Sequence, residues 1–99
     1  MKVFISQPMK GKTDEEILTE RNHMIEVVKE KYPNEEIEII DSFFQGAPVD
    51  AKPLWFLGKA LELLSTADLA VFAEGFEHYR GCRIEQMCCN EYGINHIEM

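Results

Sequence analysis

The sequence predicts a small α/β domain: a doubly wound parallel sheet of about four strands with flanking helices. Three observations predict it. Short apolar runs alternate with segments of helical period in the order β-α-β-α-β-α-β, as right-handed crossovers between parallel strands require. The run LAVFA at 69–73 is apolar at every position, the pattern of a strand covered on both faces. The chain has 99 residues, enough for a single domain over 1–99 and no second core.

KVFIS at 2–6 is a short apolar strand, ended by the loop QPMKGK. Thr13 opens the first helix. Thr13 and Glu16 have capping-box spacing, and Asp14, Glu15 and Glu16 suit the positive end of the helix dipole. Ile17, Met24, Ile25, Val28 and Tyr32 form its apolar stripe, and Pro33 stops it. IEII at 37–40 is the second strand. DSFFQGAPVDAK at 41–52 has Gly and Pro punctuation and no period, so it reads as a loop. A helix from Pro53 follows, with Leu54, Leu57, Leu61 and Leu64 as its stripe and Gly58 as a weak point. After the third strand, EGFEHYRG is a loop, 81–92 a third helix and INHIE a last short strand.

The composition, 45% apolar and 28% charged, is that of a globule and not of a disordered chain. No apolar run approaches the roughly 20 residues of a membrane span, and no signal-peptide pattern opens the chain. Three cysteines cannot all pair, and reduced thiols again point to the cytoplasm. The spacing of Cys82, Cys88 and Cys89 matches no metal-ligand pattern, and His23, His78 and His96 lie in different segments. No metal and no cofactor are expected. The net charge of −8 disfavours nucleic-acid polymers and anionic membrane surfaces. Yet Lys10 and Lys12 share one loop, and Arg80 and Arg83 share another.

Both loops follow strands, so the topology brings them to one edge of the sheet. In such folds ligands bind there, where the connection order reverses. An anion-binding cleft is expected between them. The third helix adds an anomaly. Cys82, Cys88, Cys89 and Tyr92 form its apolar arc, with Arg83, Gln86, Asn90 and Glu91 opposite. Glu85 falls at the centre of the apolar arc. Desolvation would raise its pKa, whereas the helix N-terminus and the arginines would lower it, and the sequence leaves the sign open. A carboxylate fixed there could act as nucleophile or base, or play a structural part by holding Arg80 or a backbone amide.

The segment LGKALELLSTADLAVFAEGFEHYRGCRIEQMCCNEYGI resembles the nucleoside 2-deoxyribosyltransferase-like superfamily, and in particular its short bacterial and phage branch. FISQPMKGK is similar to that branch's first-strand loop, I-S-x-P-M-x-G. Together these segments cover nearly the whole chain; the second strand and its loop match least. The resemblance implies a Rossmann-like sheet and a G-x-x-x-E motif, here Gly81 to Glu85, preceded by a small residue and Asp, here Ala67 and Asp68. It implies that Glu85 attacks the anomeric carbon of a 2-deoxyribose and displaces the base, as in retaining glycosidases. Ser6, Gln7, Pro8, Met9, Lys10, Gly11 and Lys12 would then hold the sugar or a 5′-phosphate with Arg80 and Arg83, and Gly81 would allow close backbone approach. Three positions depart from the pattern. Ala60 and Tyr79 stand where active members carry acids, and Arg83 replaces a second glycine. Glu74, Glu77 or Asp41 could supply the missing acid.

Phe43 and Phe44 are candidates to stack on a base, against the plainer role of covering the core. The resemblance also implies a dimer or larger homo-oligomer, and Trp55 and Phe56 could face a neighbouring subunit. Asp68 reads as a structural residue of the turn, and Cys82 as small apolar filler more than a reactive thiol. The expected ligand is a nucleoside or nucleoside monophosphate. A non-catalytic nucleotide-binding or sensing module is the alternative, and a small interaction protein with a merely structural Glu85 is a third reading.

Overall fold

The computed structural model describes residues 1–43 and 47–99. Four strands form one all-parallel sheet: β1 (Lys2–Ser6), β2 (Glu38–Ile39), β3 (Leu69–Phe72) and β4 (His96–Glu98), in the order β2-β1-β3-β4. The crossovers run through α1 (Asp14–Lys31), α2 (Pro53–Leu64) and α3 (Arg80–Tyr92). This is the small doubly wound α/β fold that the element order predicts. The chain leaves β1 for β2 and then returns past it to β3, so the winding reverses between β1 and β3.

The two faces follow from the two-residue period of the strands. Val3 and Ile5 of β1, with Leu69 and Val71 of β3, pack against Met24 and Val28 of α1. Phe4, Ala70 and Phe72, the alternate positions, pack against Ala60 and Leu64 of α2 and Cys82 and Cys89 of α3. Each fully buried large side chain in these layers contributes roughly 1.5–3 kcal/mol over leaving it in water. The cleft-bearing face is therefore the one with two helices.

Local signals set the element ends. The Thr13 hydroxyl accepts from the Glu16 amide at 3.2 Å, and the Glu16 carboxylate accepts from the Thr13 amide at 3.2 Å. α3 stops at Gly93, whose φ of 69° lies where only glycine goes without cost. Asp68 fixes the entry to β3: its Oδ2 accepts from the Lys2 amide at 2.7 Å. At the other end, the Ala73 amide donates to the Ser6 carbonyl at 2.9 Å. The ladder thus pins Ser6, the last residue of β1.

Three expectations shift. β2 spans two residues and not 37–40. Leu54 is 76% exposed while Ala60 is buried, because only the second half of α2 meets the sheet. Tyr92 is 81% exposed, since α3 ends just beyond its last core contact at Cys89. Among the described residues no helix is long and apolar enough to cross a membrane.

Candidate functional site

Glu85 is carried inward by its helix. Cys82 and Cys89, three residues before it and four after, are core positions on the same arc, and the carboxyl between them keeps 8% exposure. Ser6, itself buried, donates its hydroxyl to Glu85 Oε1 at 2.6 Å. No hydrogen bond reaches Oε2 among the described residues, which leaves that oxygen available. Burial pushes the carboxyl up to about 7, against a smaller downward pull from the Ser6 hydrogen bond. The sign left open by the sequence is upward.

The structural ion pair does not form. Among the described residues no basic side chain lies within ion-pair distance of Glu85. Arg83 instead donates Nη1 to the Glu77 carbonyl at 3.0 Å, and Arg80 is exposed.

Glu85 and Ser6 form part of the wall of a cleft of about 620 Å³ beyond the C-terminal ends of β1 and β3. That volume suits a small metabolite. Of the residues predicted from the two loops, Ser6, Gln7, Pro8, Met9, Lys10, Arg80, Gly81 and Arg83 line it. Gly11 and Lys12 do not. Gly11 has a φ of 79° in a turn closed by the Lys12 amide on the Met9 carbonyl at 3.1 Å, so it shapes the loop. Lys12 faces Glu20, with Nζ 3.7 Å from its Oε1.

Gln7 lines the cleft but its amide is already engaged. Nε2 donates to the Ile17 carbonyl at 2.9 Å and to Glu20 Oε1 at 3.1 Å, and Oε1 accepts from Arg21 Nη1 at 3.5 Å. Arg21 is buried and joins three segments: its Nη2 donates to the Ile40 carbonyl at 2.8 Å and its Nη1 to Ser42 Oγ at 3.3 Å. Burial lowers the Arg21 pKa, and the charge of nearby Asp41 opposes that. This network behind the cleft went unpredicted, although Arg21 sits within the stripe of Ile17, Met24 and Val28 just as Glu85 sits within its own.

α2 supplies an apolar wall that the loops alone did not foretell. Pro53, Phe56, Leu57 and Ala60 face the cleft, opposite Lys10 and Arg80 on the loops. His78 and Tyr79 line it too, whereas Asp41, Glu74 and Glu77 do not. Glu85 is thus its one carboxylate among the described residues. Phe43 lies outside the lining, and Phe44 falls outside the described residues. Phe56 stands edge-to-face with Trp55, ring centroids 5.1 Å apart. Burial pushes the Cys82 thiol up to about 11, so it is core filler and not a nucleophile. Among the described residues no three His, Cys, Asp or Glu side chains converge as a metal site needs.

Gly81 lies in the first turn of α3 with right-handed backbone, and a Cβ there would meet no heavy atom within 4 Å. The protein's own packing therefore does not demand glycine at this place; the space above it is open cleft. Comparison of the chain with family models, with curated proteins and with solved structures finds no match.

Proposed function

We propose that this chain cleaves or transfers the N-glycosidic bond of a 2′-deoxynucleoside or its 5′-monophosphate, with Glu85 as the nucleophile. The observation that carries this reading is the buried Glu85 carboxyl, held through one oxygen by Ser6 in the wall of the cleft. Ser6 orients the group, and the available Oε2 attacks C1′ from the face opposite the base. The C–N bond electrons leave with the base, and a glycosyl ester on Glu85 results. Water or a second base then attacks C1′ and releases the carboxylate, the retaining scheme.

Further features support the ligand class. The cleft sets an aromatic and aliphatic wall against a basic one, matching a flat base joined to an anion. α3 has no side-chain cap and no acidic residue in its first turn, unlike the fully capped α1. Arg80 and Arg83 put positive charge where the helix dipole is already positive, a local conflict that a bound phosphate would relieve. The resemblance to deoxyribosyltransferase-like proteins points the same way. On the same reading the protein works in the cytoplasm as a homo-oligomer.

Release of base from a panel of deoxynucleosides and their monophosphates, by wild type beside Glu85→Gln, tests the proposal. Release by wild type and loss in the variant is the expected result; no release by wild type at high concentration overturns it. One observation favours a second reading, a nucleotide-binding module without catalysis. Buried Ala60 lines the cleft where active members of the resembling family carry an acid. Stabilisation by nucleotides, roughly 2.7 kcal/mol at 100 times Kd, without any base release would select it.

A further inference from the structure

Cleavage of an N-glycosidic bond leaves electrons on a base nitrogen, and an ordinary base departs slowly unless a proton arrives with them. The cleft must hold a donor for that proton if Glu85 acts as proposed. Glu85 cannot serve, since it forms the bond to C1′. None of the other carboxylates weighed from the sequence lines the cleft. General acid help is most efficient from a group whose ordinary pKa lies near the working pH, and among side chains that is imidazole. The Cys82 thiol, raised to about 11 by burial, is a poor match. Among the described residues the cleft lining holds one imidazole, that of His78.

We propose that His78 is the general acid that protonates the departing base, and the general base in the second step. This rests on the reading of Glu85 as nucleophile. His78 ends a 3-10 turn, Phe76–His78, three residues before Gly81. The turn is firmly built. Gly75 enters it at φ 79°, the His78 amide donates to the Gly75 carbonyl at 3.1 Å, and Arg83 braces the Glu77 carbonyl. The Glu77 carboxylate lies 3.6 Å from His78 Nε2. The imidazole lines the cleft and is largely exposed. In the first step the C–N bond breaks and the base nitrogen takes the imidazolium proton. In the second, neutral His78 takes a proton from water as its oxygen bonds to C1′ and the Glu85 ester bond opens.

Leaving-group dependence tests this. A 7-methylguanine base is already cationic and departs neutral, with no proton needed. Base release is measured for 2′-deoxyguanosine 5′-monophosphate and its 7-methyl form, with wild type, His78→Gln and Glu85→Gln. His78→Gln is expected to slow release of the ordinary base by roughly 10²–10⁴-fold and of the methylated base by under about tenfold. Glu85→Gln is expected to abolish both. Equal loss on the two substrates, or none on either, overturns the role of His78 while leaving Glu85 in place. No release of either base by wild type overturns both readings together. Circular dichroism of His78→Gln guards against misfolding, and the exposed position makes a folded variant the expected result.

Discussion

Ser6 and Glu85 show how one hydroxyl can set the reactivity of a buried acid. The hydrogen bond to Oε1 favours the ionised carboxylate and offsets part of what burial does to it. Ser6→Ala should therefore raise the Glu85 pKa above its present value of about 7. The ascending limb of the pH–rate profile for base release should move to higher pH; an unmoved or lowered limb would contradict the pairing. The other groups packed on this carboxyl, the Cys82 and Cys89 thiols, sit near 11 and do not titrate in that range. Glu85 was legible in the sequence because it broke the stripe of its helix. Arg21 breaks the stripe of α1 in the same way, between Ile17 and Met24, and was overlooked because arginine stems commonly lie along apolar surfaces with the head in water. Here the head stays inside and holds Gln7, Ile40 and Ser42. Arg21→Lys, which cannot reproduce that fork, should cost about 1–3 kcal/mol in a denaturant melt. An unchanged midpoint would mean that water replaces the network.

At the scale of elements, strand and helix order was readable because each run carried its own period, caps and stops. Thr13, Pro53 and Gly93 mark ends through chemistry confined to a turn. What could not be read was how far a helix runs past the sheet. The leucine stripe of α2 is regular along its whole length, yet burial depends on where β1 and β3 end, which no local pattern encodes. The apolar cleft wall made by Phe56 and Leu57 was hidden for that reason. α3 presents the opposite case. Its cationic start is plain in the sequence and predicts where an anion should sit. Arg83 is engaged with the Glu77 carbonyl, whereas Arg80 has no such bond among the described residues, so Arg80 should carry more of the binding. Arg80→Gln is expected to weaken a 5′-monophosphate by roughly tenfold or more, the worth of a charge-assisted hydrogen bond, and to leave the nucleoside nearly unaffected. Titration calorimetry with the two ligands measures the difference; an equal loss for both would move the phosphate elsewhere.

For the whole molecule, an acid kept on the core-facing arc of α3 has a thermodynamic consequence that does not depend on any ligand. In the unfolded chain Glu85 ionises near 4.5, and in the fold near 7. Below pH 4.5 both states hold the proton and the site is neutral to stability. Between 4.5 and 7 the folded protein keeps a proton that the unfolded chain has released, so raising the pH favours unfolding. Above 7 the loss is complete, at most about 3.5 kcal/mol for a shift of this size at roughly 1.4 kcal/mol per unit. Glu16 works in the other direction, since its cap on Thr13 lowers its pKa, but that contribution is common to any variant at position 85. Glu85→Gln keeps the shape and the hydrogen-bond partner and removes the charge. It should therefore melt above wild type at pH 8 and converge with it as the pH falls below 4.5. Parallel curves at all pH values would mean that the carboxyl is solvated in the fold, and the case for a poised nucleophile would fall with that result.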